Sequence, residues 1–404
     1  MKTIVHKYGG TSVGDAARIK IVAKRVADAK RAGNKIAVVV SAACGQTDRL
    51  IAQAQEISAQ PGARELDLLM ATGEQASVAL LCLALGELGV ETESFLGFQA
   101  GIYTDANHGR ARIEKIEPER VKMALEAGKV AVVAGFQGAS KHGAITTIGR
   151  GGSDTSAVAL AAALGADHCE IFTDVEGVHT ADPRICSNAR LLPRITYEEM
   201  MELANAGARV LHSRCVEIAA RYRIPLIVRS SFTDGQGTWV VPEEEIMEGT
   251  VVSGITCTTG ESKVAIRRVP DKVGVTAQIF APIAKAGIDV DLIIQNVSAD
   301  GFTDLTFTVP KDDLRKAMTL AEAAAREVKA GRVEAAGDIA KVSVVGLGMR
   351  SHAGVAHRMF DALAREGIAI QMIGTSEIKV SIVIDIKYAE LAVRVLHEAF
   401  GLSG

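Results

Sequence analysis

The chain of 404 residues lacks the patterns that mark several common classes of protein. Its six cysteines are scattered without a CxxC pair, which favours reduced thiols over a disulfide framework. The formal net charge is only −3, so neither nucleic acid nor an anionic membrane is an expected partner. No apolar run approaches the roughly 18 residues of a membrane helix, and no signal peptide is recognisable. These absences favour a cytoplasmic protein, and the length predicts two or three domains.

Several catalytic signatures are also missing. No GxGxxG follows the first predicted strand, which argues against a nicotinamide dehydrogenase, and there is no GxxxxGK[ST] loop. None of the nine histidines shows HExxH spacing, so no metal site built from protein side chains is predicted. The chemistry must therefore be sought in other motifs.

Glycine-rich loops supply two such motifs. The stretch TTIGRGGSDTS, residues 146–156, places Arg150, a glycine pair and Asp154 before an alanine-rich helix predicted at 157–165. Amide groups at the start of a helix favour an anion, and the arginine fork suits a carboxylate or a phosphate. On local grounds an ordinary glycine-rich turn explains the pattern equally well.

The second loop follows a strand predicted over Thr3–Tyr8. Gly9 and Gly10 then open a predicted helix that stops at Gly33. Lys7 stands at the end of the strand, where it could reach a phosphate held by the two glycine amides. The local alternative is an exposed lysine beside a plain turn between strand and helix.

Strand-like runs alternate with helical patterns along the first half of the chain. The predicted strands at 36–41, 130–134, 170–173 and 226–229 indicate a mainly parallel sheet covered by helices on both faces. Ligands of such sheets bind at the carboxyl ends of the strands. Lys7, Ser41, Gly135 and Asp174 fall at such ends, so we expect them to converge.

An internal repeat follows a polar connection near residues 233–262. Lys263-Val-Ala-Ile and Gly274-Val parallel Lys341-Val-Ser-Val and Gly354-Val, at an offset of about 80 residues. Each copy continues with alternating strand patterns and an amphipathic helix. Two repeats that serve only dimerisation are one explanation, and a regulatory module is the other.

Five blocks, in order and without large gaps, resemble the monofunctional aspartate kinases of the amino acid kinase family. The blocks are Lys7–Val13, Ser41–Thr47, Thr72–Gln75, Gly149–Thr155 and Thr173–Arg184. The resemblance implies a three-layer αβα fold with an open, mainly parallel sheet, followed by two ferredoxin-like βαββαβ ACT domains. It implies a catalytic domain at 1–245, a linker or joining strand at 246–262, and ACT domains at 263–337 and 338–404.

The same resemblance implies phosphoryl transfer from ATP, with Mg²⁺ on the phosphates, to the side-chain carboxylate of aspartate. The catalytic residues implied are Lys7, Arg150 and Asp154. The implied ATP contacts are Lys7, Tyr8, Gly9, Gly10, Ser41, Thr173, Asp174, His179, Asp182, Arg184, Arg209 and Val210. The implied aspartate contacts are Thr47, Glu74, Arg150, Gly151, Gly152 and Ser153. Arg209 and His179 stand where family members usually carry lysine and tyrosine.

The repeats are expected to sense an amino acid. Asp271, Gln295 and Asn296 are the candidate contacts of the effector, which the resemblance implies to be lysine, threonine or both. Val273 stands in the effector loop where proline is usual. We expect a homo-oligomer formed through the ACT domains, with Met247 as a possible internal start for a shorter subunit.

Two other readings use the same fold. A kinase of glutamate or N-acetylglutamate would normally lack the tandem repeats. A catalytically inactive amino-acid sensor would be expected to lose Lys7 or Arg150, and both are present. Local alternatives also remain for single residues: Glu74 as a carboxylate near a helix start, and Asp154 as a helix N-cap.

Overall fold

The computed structural model describes residues 1–404 except 209, 247–249, 297–299, 351 and 353. Arg209, predicted to contact ATP, and Met247, the possible internal start, lie outside the described residues. The chain forms two compact units, and each is described below by itself. The first unit comprises Met1–His179, Leu191–Asn205 and Arg209–Glu248, and the second comprises Thr180–Arg190, Ala206–Ala208 and Gly249–Gly404.

The first unit is built on an open sheet of eight strands in the order β10-β12-β11-β9-β1-β2-β6-β3. The strands of this unit are β1 Thr3–Tyr8, β2 Lys35–Val40, β3 Thr92–Phe95, β4 Ile102–Thr104, β5 Ile113–Ile116, β6 Val130–Ala134, β7 Gln137–Ser140, β8 Ile145–Thr147, β9 His168–Thr173, β10 Arg194–Thr196, β11 Leu226–Ser230 and β12 Thr238–Val241. All neighbours in the large sheet are parallel except β11 and β12. The predicted mainly parallel sheet is therefore confirmed.

Helices cover both faces of this sheet. They are α1 Ala16–Arg31, α2 Gln46–Ile57, α3 Ala63–Gly86, α4 Glu119–Glu126, α5 Gly152–Leu164, α6 Tyr197–Asn205 and α7 Ser213–Tyr222. One face packs apolar side chains of α1 and α3 against β1, β2 and β6 in a continuous buried core. On the other face α4 and α5 lie against the central strands. The three-layer αβα architecture is confirmed.

Two helix starts differ from the prediction. Gly10–Val13 forms a short 3-10 turn, and α1 begins only after Asp15, whose carboxylate accepts the N–H of Arg18. By contrast α5 begins at Gly152, five residues before the predicted start, because Gly151 adopts the left-handed conformation with φ of 67° and acts as its N-cap. Asp154 is consequently a residue of the first helical turn, and its reading as an N-cap is wrong.

The helix α3 has the length and composition of a membrane span, contrary to the expectation that no segment would reach it. Its apolar side chains Val78, Leu81 and Leu85 are buried in the core against the sheet. It also carries the buried carboxylates of Asp67 and Glu74. The buried core helix of a globular domain satisfies the same criteria, which explains the match.

A smaller sheet of four strands, in the order β5-β4-β7-β8, lies at the carboxyl end of β6. Its last strand, β8, ends at Thr147 and leads directly into the glycine-rich loop 148–151. The residues of β7 are all buried. This sheet therefore determines where the loop begins.

The second unit contains two four-stranded antiparallel sheets with helices packed on them. Its elements are β13 Gly254–Thr258, β14 Glu261–Pro270, α8 Val275–Lys285, β15 Ile293–Gln295, β16 Phe302–Pro310, α9 Leu314–Glu327, β17 Val333–Ala336, β18 Ile339–Val345, α10 Val355–Arg365, β19 Met372–Thr375, β20 Lys379–Asp385 and α11 Ala389–Ala399. The orders are β15-β16-β14-β17 and β13-β18-β20-β19. The predicted repeat and its ferredoxin-like fold are confirmed.

The two repeats obtain their edge strands differently. In the first repeat the strand after the second helix, β17, pairs with β14 and completes a βαββαβ unit. In the second repeat β13 pairs with β18 instead, although it precedes the whole first repeat in the chain. The predicted βαββαβ order thus holds for the first repeat, while the second is completed by β13, from the stretch expected to be a linker or joining strand.

A short segment of the second unit lies in the chain between two stretches of the first unit and is packed into the core of the second repeat. Ala181 and Cys186 are buried among side chains of β18, β20 and α11. The hydroxyl of Thr180 lies 2.9 Å from His397 Nε2 and donates to the carbonyl of Leu402 at 3.1 Å. We name this stretch, Thr180–Arg190, the exchanged segment.

Candidate active site

The carboxyl ends of β1 and β2 and the start of α5 converge as the topology requires. Lys7 Nζ lies 2.5 Å from Asp154 Oδ1, and the two side chains are only 10% and 14% exposed. A buried ammonium needs a partner, and Asp154 supplies it while holding Lys7 at the strand end. Lys7 and Asp154, far apart in the sequence, therefore form one ion pair, which we call the Lys7–Asp154 element.

The Gly9–Gly10 turn passes close to the loop that follows β2. A side chain at Gly10 would place its Cβ 2.7 Å from the carbonyl oxygen of Ala42, so only glycine fits there. The Gly9 N–H donates to the carbonyl of Phe172 at 3.2 Å. The expectation that both glycine amides are open to a phosphate therefore needs correction, because the Gly9 amide is already bonded.

Glu74 is a buried carboxylate with one open side. It is 3% exposed, and its Oε1 accepts the backbone N–H of Ala42 at 3.0 Å. Its Oε2 is buried without a hydrogen-bond partner among the described residues. Burial raises the pKa of Glu74 to about 7. Such an oxygen is prepared for a cationic donor that the protein itself does not supply.

Arg150 lies on the glycine-rich loop between β8 and α5 and is exposed. The loop is shaped by Gly149 and Gly151, both with positive φ, and a Cβ at Gly151 would lie 2.4 Å from the His212 side chain. Burial lowers the pKa of His212, with Arg150 contributing in the same direction. The loop is thus closely packed while its arginine remains available.

Three hydroxyl candidates occupy the same region of the first unit. Ser41 follows β2, with its N–H donating to the carbonyl of Tyr8 at 3.1 Å, and Thr47 lies in the first turn of α2. Ser153 is 8% exposed in the first turn of α5. A Cβ at Gly135 would stand 2.9 Å from Ser153 Oγ, so this glycine makes room for the serine.

The residues matched to ATP divide between the two units. Tyr8 is buried and stacks on Phe172, with ring centroids 4.6 Å apart, so it supports the turn from within the core. Thr173 ends β9, and its hydroxyl donates to Asp174 Oδ1 at 3.1 Å. His179 pairs with Leu191 in an isolated bridge, and Val210 is half-buried in the loop before α7.

Asp182 and Arg184 belong to the exchanged segment in the second unit. They form a two-pronged ion pair, with Arg184 Nη2 2.7 Å from Asp182 Oδ2 and Arg184 Nε 3.0 Å from Oδ1. The arginine side chain is 86% exposed. The Asp182 carboxylate also accepts the Arg184 N–H, which closes a turn at Asp182-Pro183.

The effector candidates surround the start of α8 in the first repeat. Gln295, at the end of β15, accepts the Thr276 hydroxyl at 3.1 Å. The carbonyl of Asn296 accepts the Thr303 hydroxyl, and the Asp271 N–H donates to Gly301 at 2.9 Å. The side chains of all three candidates are exposed.

Sequence reasoning missed three residues that shape this region. Phe136 has a φ of 65° and lies where a Cβ on Gly152 would touch its ring. Arg214 donates to the carbonyls of Ile148 at 3.1 Å and Ala111 at 3.0 Å. Asp67 is fully buried and accepts several hydrogen bonds from the same region. Only the presence of a carboxylate in the apolar sequence of α3 could have indicated Asp67.

Three family models match the chain. The model of the amino acid kinase family covers residues 2–230, and ACT domain models cover residues 264–326 and 342–400. An aspartate kinase of Pseudomonas putida is 53% identical over 100% of this chain and 98% of its own length. An aspartokinase of Mycobacterium tuberculosis is 47% identical over 100% and 97%.

The chain belongs to the amino acid kinase family, within its aspartate kinases. Among solved structures, Escherichia coli aspartokinase III in complex with aspartate and ADP is 26% identical, covers 98% of this chain and 99% of its own, and superposes with a TM-score of 0.83. The same E. coli enzyme in complex with lysine and aspartate gives a TM-score of 0.77 at 26% identity. The enzyme is an aspartate kinase with two regulatory ACT domains.

Proposed function

We propose that this aspartate kinase transfers the γ-phosphoryl group of ATP to the side-chain carboxylate of L-aspartate and forms 4-phospho-L-aspartate. The observation that carries the proposal is the buried, unpartnered Oε2 of Glu74. An ammonium group is the donor that satisfies such an oxygen, and aspartate brings one. The relative from E. coli was solved with aspartate and ADP, which supports the same pair of ligands.

The chemistry requires neutralisation of charge and not proton removal. The aspartate side chain ionises with a pKa near 4, so the attacking carboxylate needs no general base at neutral pH. The obstacle is the approach of one anion to another, and phosphoryl transfer is catalysed mainly by alignment and charge stabilisation. Lys7, held by Asp154, supplies a fixed positive charge at the strand end.

Aspartate is oriented at its amino-acid end. Arg150 is proposed to grip the α-carboxylate through two parallel N–H···O bonds, and Glu74 binds the ammonium group. Thr47, Ser153 and the backbone of Gly151–Gly152 provide hydrogen-bonding groups around the rest of the substrate. Fixing both charged groups on the α-carbon leaves the side-chain carboxylate as the free nucleophile.

On the nucleotide side, Lys7 and the Gly9–Gly10 turn are proposed to receive the phosphates. Tyr8, Ser41, Thr173, Asp174, His179, Asp182, Arg184, Arg209 and Val210 remain proposed contacts of ATP. For Tyr8 the contact would be through its backbone, because its side chain is buried in the core.

Magnesium fits this arrangement as an ion carried by the nucleotide. Within the described parts of the chain no three side chains of the metal-binding types form a cluster. Asp174 is an exposed single carboxylate at the end of β9, and Mg²⁺ on phosphates commonly takes only one or two carboxylates. When bound, the ion would neutralise phosphate charge.

Feedback control is proposed to act through Asp271, Gln295 and Asn296, with lysine, threonine or both as the effector. The E. coli relative was solved with lysine, which supports an amino-acid ligand. An effector inhibits only if it binds the less active arrangement more tightly. We further propose a cytoplasmic homo-oligomer joined through ACT domains, a shorter subunit begun at Met247, and a place at the entry to lysine, threonine and methionine biosynthesis.

The test is Mg²⁺-dependent ADP release with aspartate, glutamate or N-acetylglutamate, each with and without lysine plus threonine. We expect turnover with aspartate alone and its suppression by the effectors. Turnover with glutamate or N-acetylglutamate in place of aspartate would overturn the substrate assignment. Unsuppressed turnover with aspartate would overturn the effector assignment and leave the reaction standing.

A further inference from the structure

Asp67 lies on α3, the helix that also carries Glu74. Seven residues separate the two carboxylates, which is about two helical turns, so they lie on nearly the same face about 10 Å apart. Asp67 is 0% exposed. A buried carboxylate is tolerated only when its oxygens are well bonded, and each of them is here.

The donors to Asp67 come from two separate stretches of chain. The Thr147 hydroxyl donates to Oδ1 at 2.5 Å, and the Thr147 N–H donates to Oδ2 at 3.1 Å. The Gly109 N–H donates at 3.0 Å to Oδ1, and His108 Nδ1 lies 2.7 Å from Oδ2. One carboxylate thus ties α3 to the loop at 108–109 and to the end of β8.

Thr147 is three residues before Arg150, so its position limits where the arginine can stand. The bonds continue along the loop: the Ala111 N–H donates to the Thr147 carbonyl at 2.9 Å, and Arg214 holds the Ile148 carbonyl. The loop is therefore anchored to α3 through Thr147, the residue that precedes it.

We propose that Asp67 is a positioning residue for aspartate recognition, which sets the separation between Arg150 and Glu74 by anchoring Thr147 to α3. This inference rests on the proposed function, in which Arg150 binds the α-carboxylate and Glu74 binds the ammonium group of one amino acid. Asp67 itself touches no substrate. Its role predicts an effect on aspartate and not on ATP, because the Lys7–Asp154 element is bonded independently.

The principal variant is Asp67→Asn, which has the same shape but turns an NH₂ group toward donors. We expect the KM for aspartate to rise by roughly 10-fold to 100-fold, the effect of a displacement of about 1 Å at a site, while the KM for ATP changes less than about twofold. Thr147→Val removes only the hydroxyl bond and should raise the KM for aspartate by a smaller factor. Thr147→Ser retains the hydroxyl and should recover most of that loss.

The matched control is Glu199→Gln. Glu199 is also a buried carboxylate of the first unit, and it accepts the N–H and the hydroxyl of Thr196, which lies only three residues before it in the chain. General destabilisation lowers the active fraction in either variant and leaves the KM for aspartate unchanged. A raised KM in Asp67→Asn alone therefore distinguishes positioning from folding.

The wild-type enzyme measured alongside separates the two claims. Wild-type turnover of aspartate, with an unchanged aspartate KM in both Asp67→Asn and Thr147→Val, overturns the positioning role and leaves the proposed function intact. Absence of wild-type turnover with aspartate overturns both. If Asp67→Asn does not fold, the contrast between Thr147→Val and Thr147→Ser decides: equal KM values for aspartate overturn the inference.

Discussion

The glycine-rich loop at 148–151 and the exchanged segment Thr180–Arg190 carry residues matched to aspartate and to ATP, yet different parts of the chain hold them. The loop is anchored within the first unit by Asp67 and Arg214. The exchanged segment is packed into the core of the second repeat, where Ala181 and Cys186 are buried. Substitutions in the regulatory half should therefore disturb residues matched to the nucleotide more than residues matched to aspartate.

Removal of Lys7 should have the largest effect on turnover. It should not distinguish the aspartate side of the site from the nucleotide side. Lys7→Ala deletes the buried cation paired with Asp154, and loss of one such stabilising group typically costs about 10²-fold to 10³-fold in kcat. Steady-state kinetics with Mg²⁺-ATP and aspartate provide the measurement, with Lys2→Ala, an exposed lysine near the same strand, as the control. A kcat within threefold of wild type would remove Lys7 from the reaction.

Arg150→Ala tests the aspartate side alone. The loss of a charged two-point contact should lower kcat/KM for aspartate by about 3 kcal/mol, or roughly 150-fold, with the KM for ATP nearly unchanged. The control is Arg190→Ala, which removes an arginine of the exchanged segment on the nucleotide side. An equal loss for both substrates would contradict the assignment of Arg150 to the α-carboxylate.

Glu74 makes the aspartate side sensitive to pH. Its pKa of about 7 is raised by burial, and only the ionised form attracts an ammonium group. The KM for aspartate should therefore rise about tenfold from pH 8 to pH 6, and Glu74→Gln should raise the KM but abolish this dependence. A pH profile that is identical in wild type and Glu74→Gln would exclude Glu74 as its source.

The same pKa shift predicts an effect on stability that needs no substrate. Because the folded-state pKa is raised, the stability that Glu74 contributes is complete below its unfolded pKa near 4.5 and declines as pH rises through 7. Glu74→Gln should accordingly raise Tm at pH 8 and change it little at pH 5. Thermal unfolding at the two pH values supplies the measurement, and a gain of equal size at both would contradict the shift.

Thr180→Val tests the nucleotide side with a smaller expected effect. The change removes a buried hydroxyl that contacts His397 and Leu402 and holds the start of the exchanged segment. If the lost bond, typically about 1 kcal/mol, displaces Asp182 and Arg184, the KM for ATP should rise up to about fivefold. The KM for aspartate should stay constant, and Thr180→Ser should behave as wild type. A rise in the KM for aspartate alone would contradict the proposal that the exchanged segment serves ATP and the glycine-rich loop serves aspartate.

The smallest effect on uninhibited turnover belongs to Asp271→Ala. Its carboxylate is exposed, so activity without effector should remain, while inhibition by lysine plus threonine should weaken by the usual allosteric coupling of about 1–3 kcal/mol. Inhibition curves for wild type, Asp271→Ala and the control Asp312→Ala, an exposed residue of the same repeat, give the comparison. Undiminished inhibition would exclude Asp271 from the effector site.

The sequence predicted well the elements whose signal is local. Thr3–Tyr8 and Val130–Ala134 were predicted to the residue, because continuous buried runs flanked by glycine or a helix are unambiguous. The start of α5 was missed because Gly151–Gly152 reads as a turn, and the pairing of β13 was missed because its partner β18 lies far along the chain. Pairing over such distances leaves little trace in a local pattern.

The candidate site shows the same division. Lys7, Arg150 and Asp154 stand in recognisable motifs, and the structure brings Lys7 and Asp154 together. The role of Asp67 could not be predicted, because its partners lie 41 and 80 residues away in the chain. Supporting residues of this kind are recognised only by their contacts in the folded chain. Binding residues such as Arg150 can be recognised in the sequence, because they stand next to glycines in a motif.

The position of β13 has a consequence for the order of synthesis. This strand leaves the ribosome before the entire first repeat, but its partner β18 follows roughly 80 residues later. At about 5–20 residues per second, the strand waits roughly 4–16 s with its edge unpaired while the first repeat can already close. The first repeat can therefore be complete before the second repeat forms, and slow translation of 259–338 would lengthen the interval in which β13 can pair with another chain.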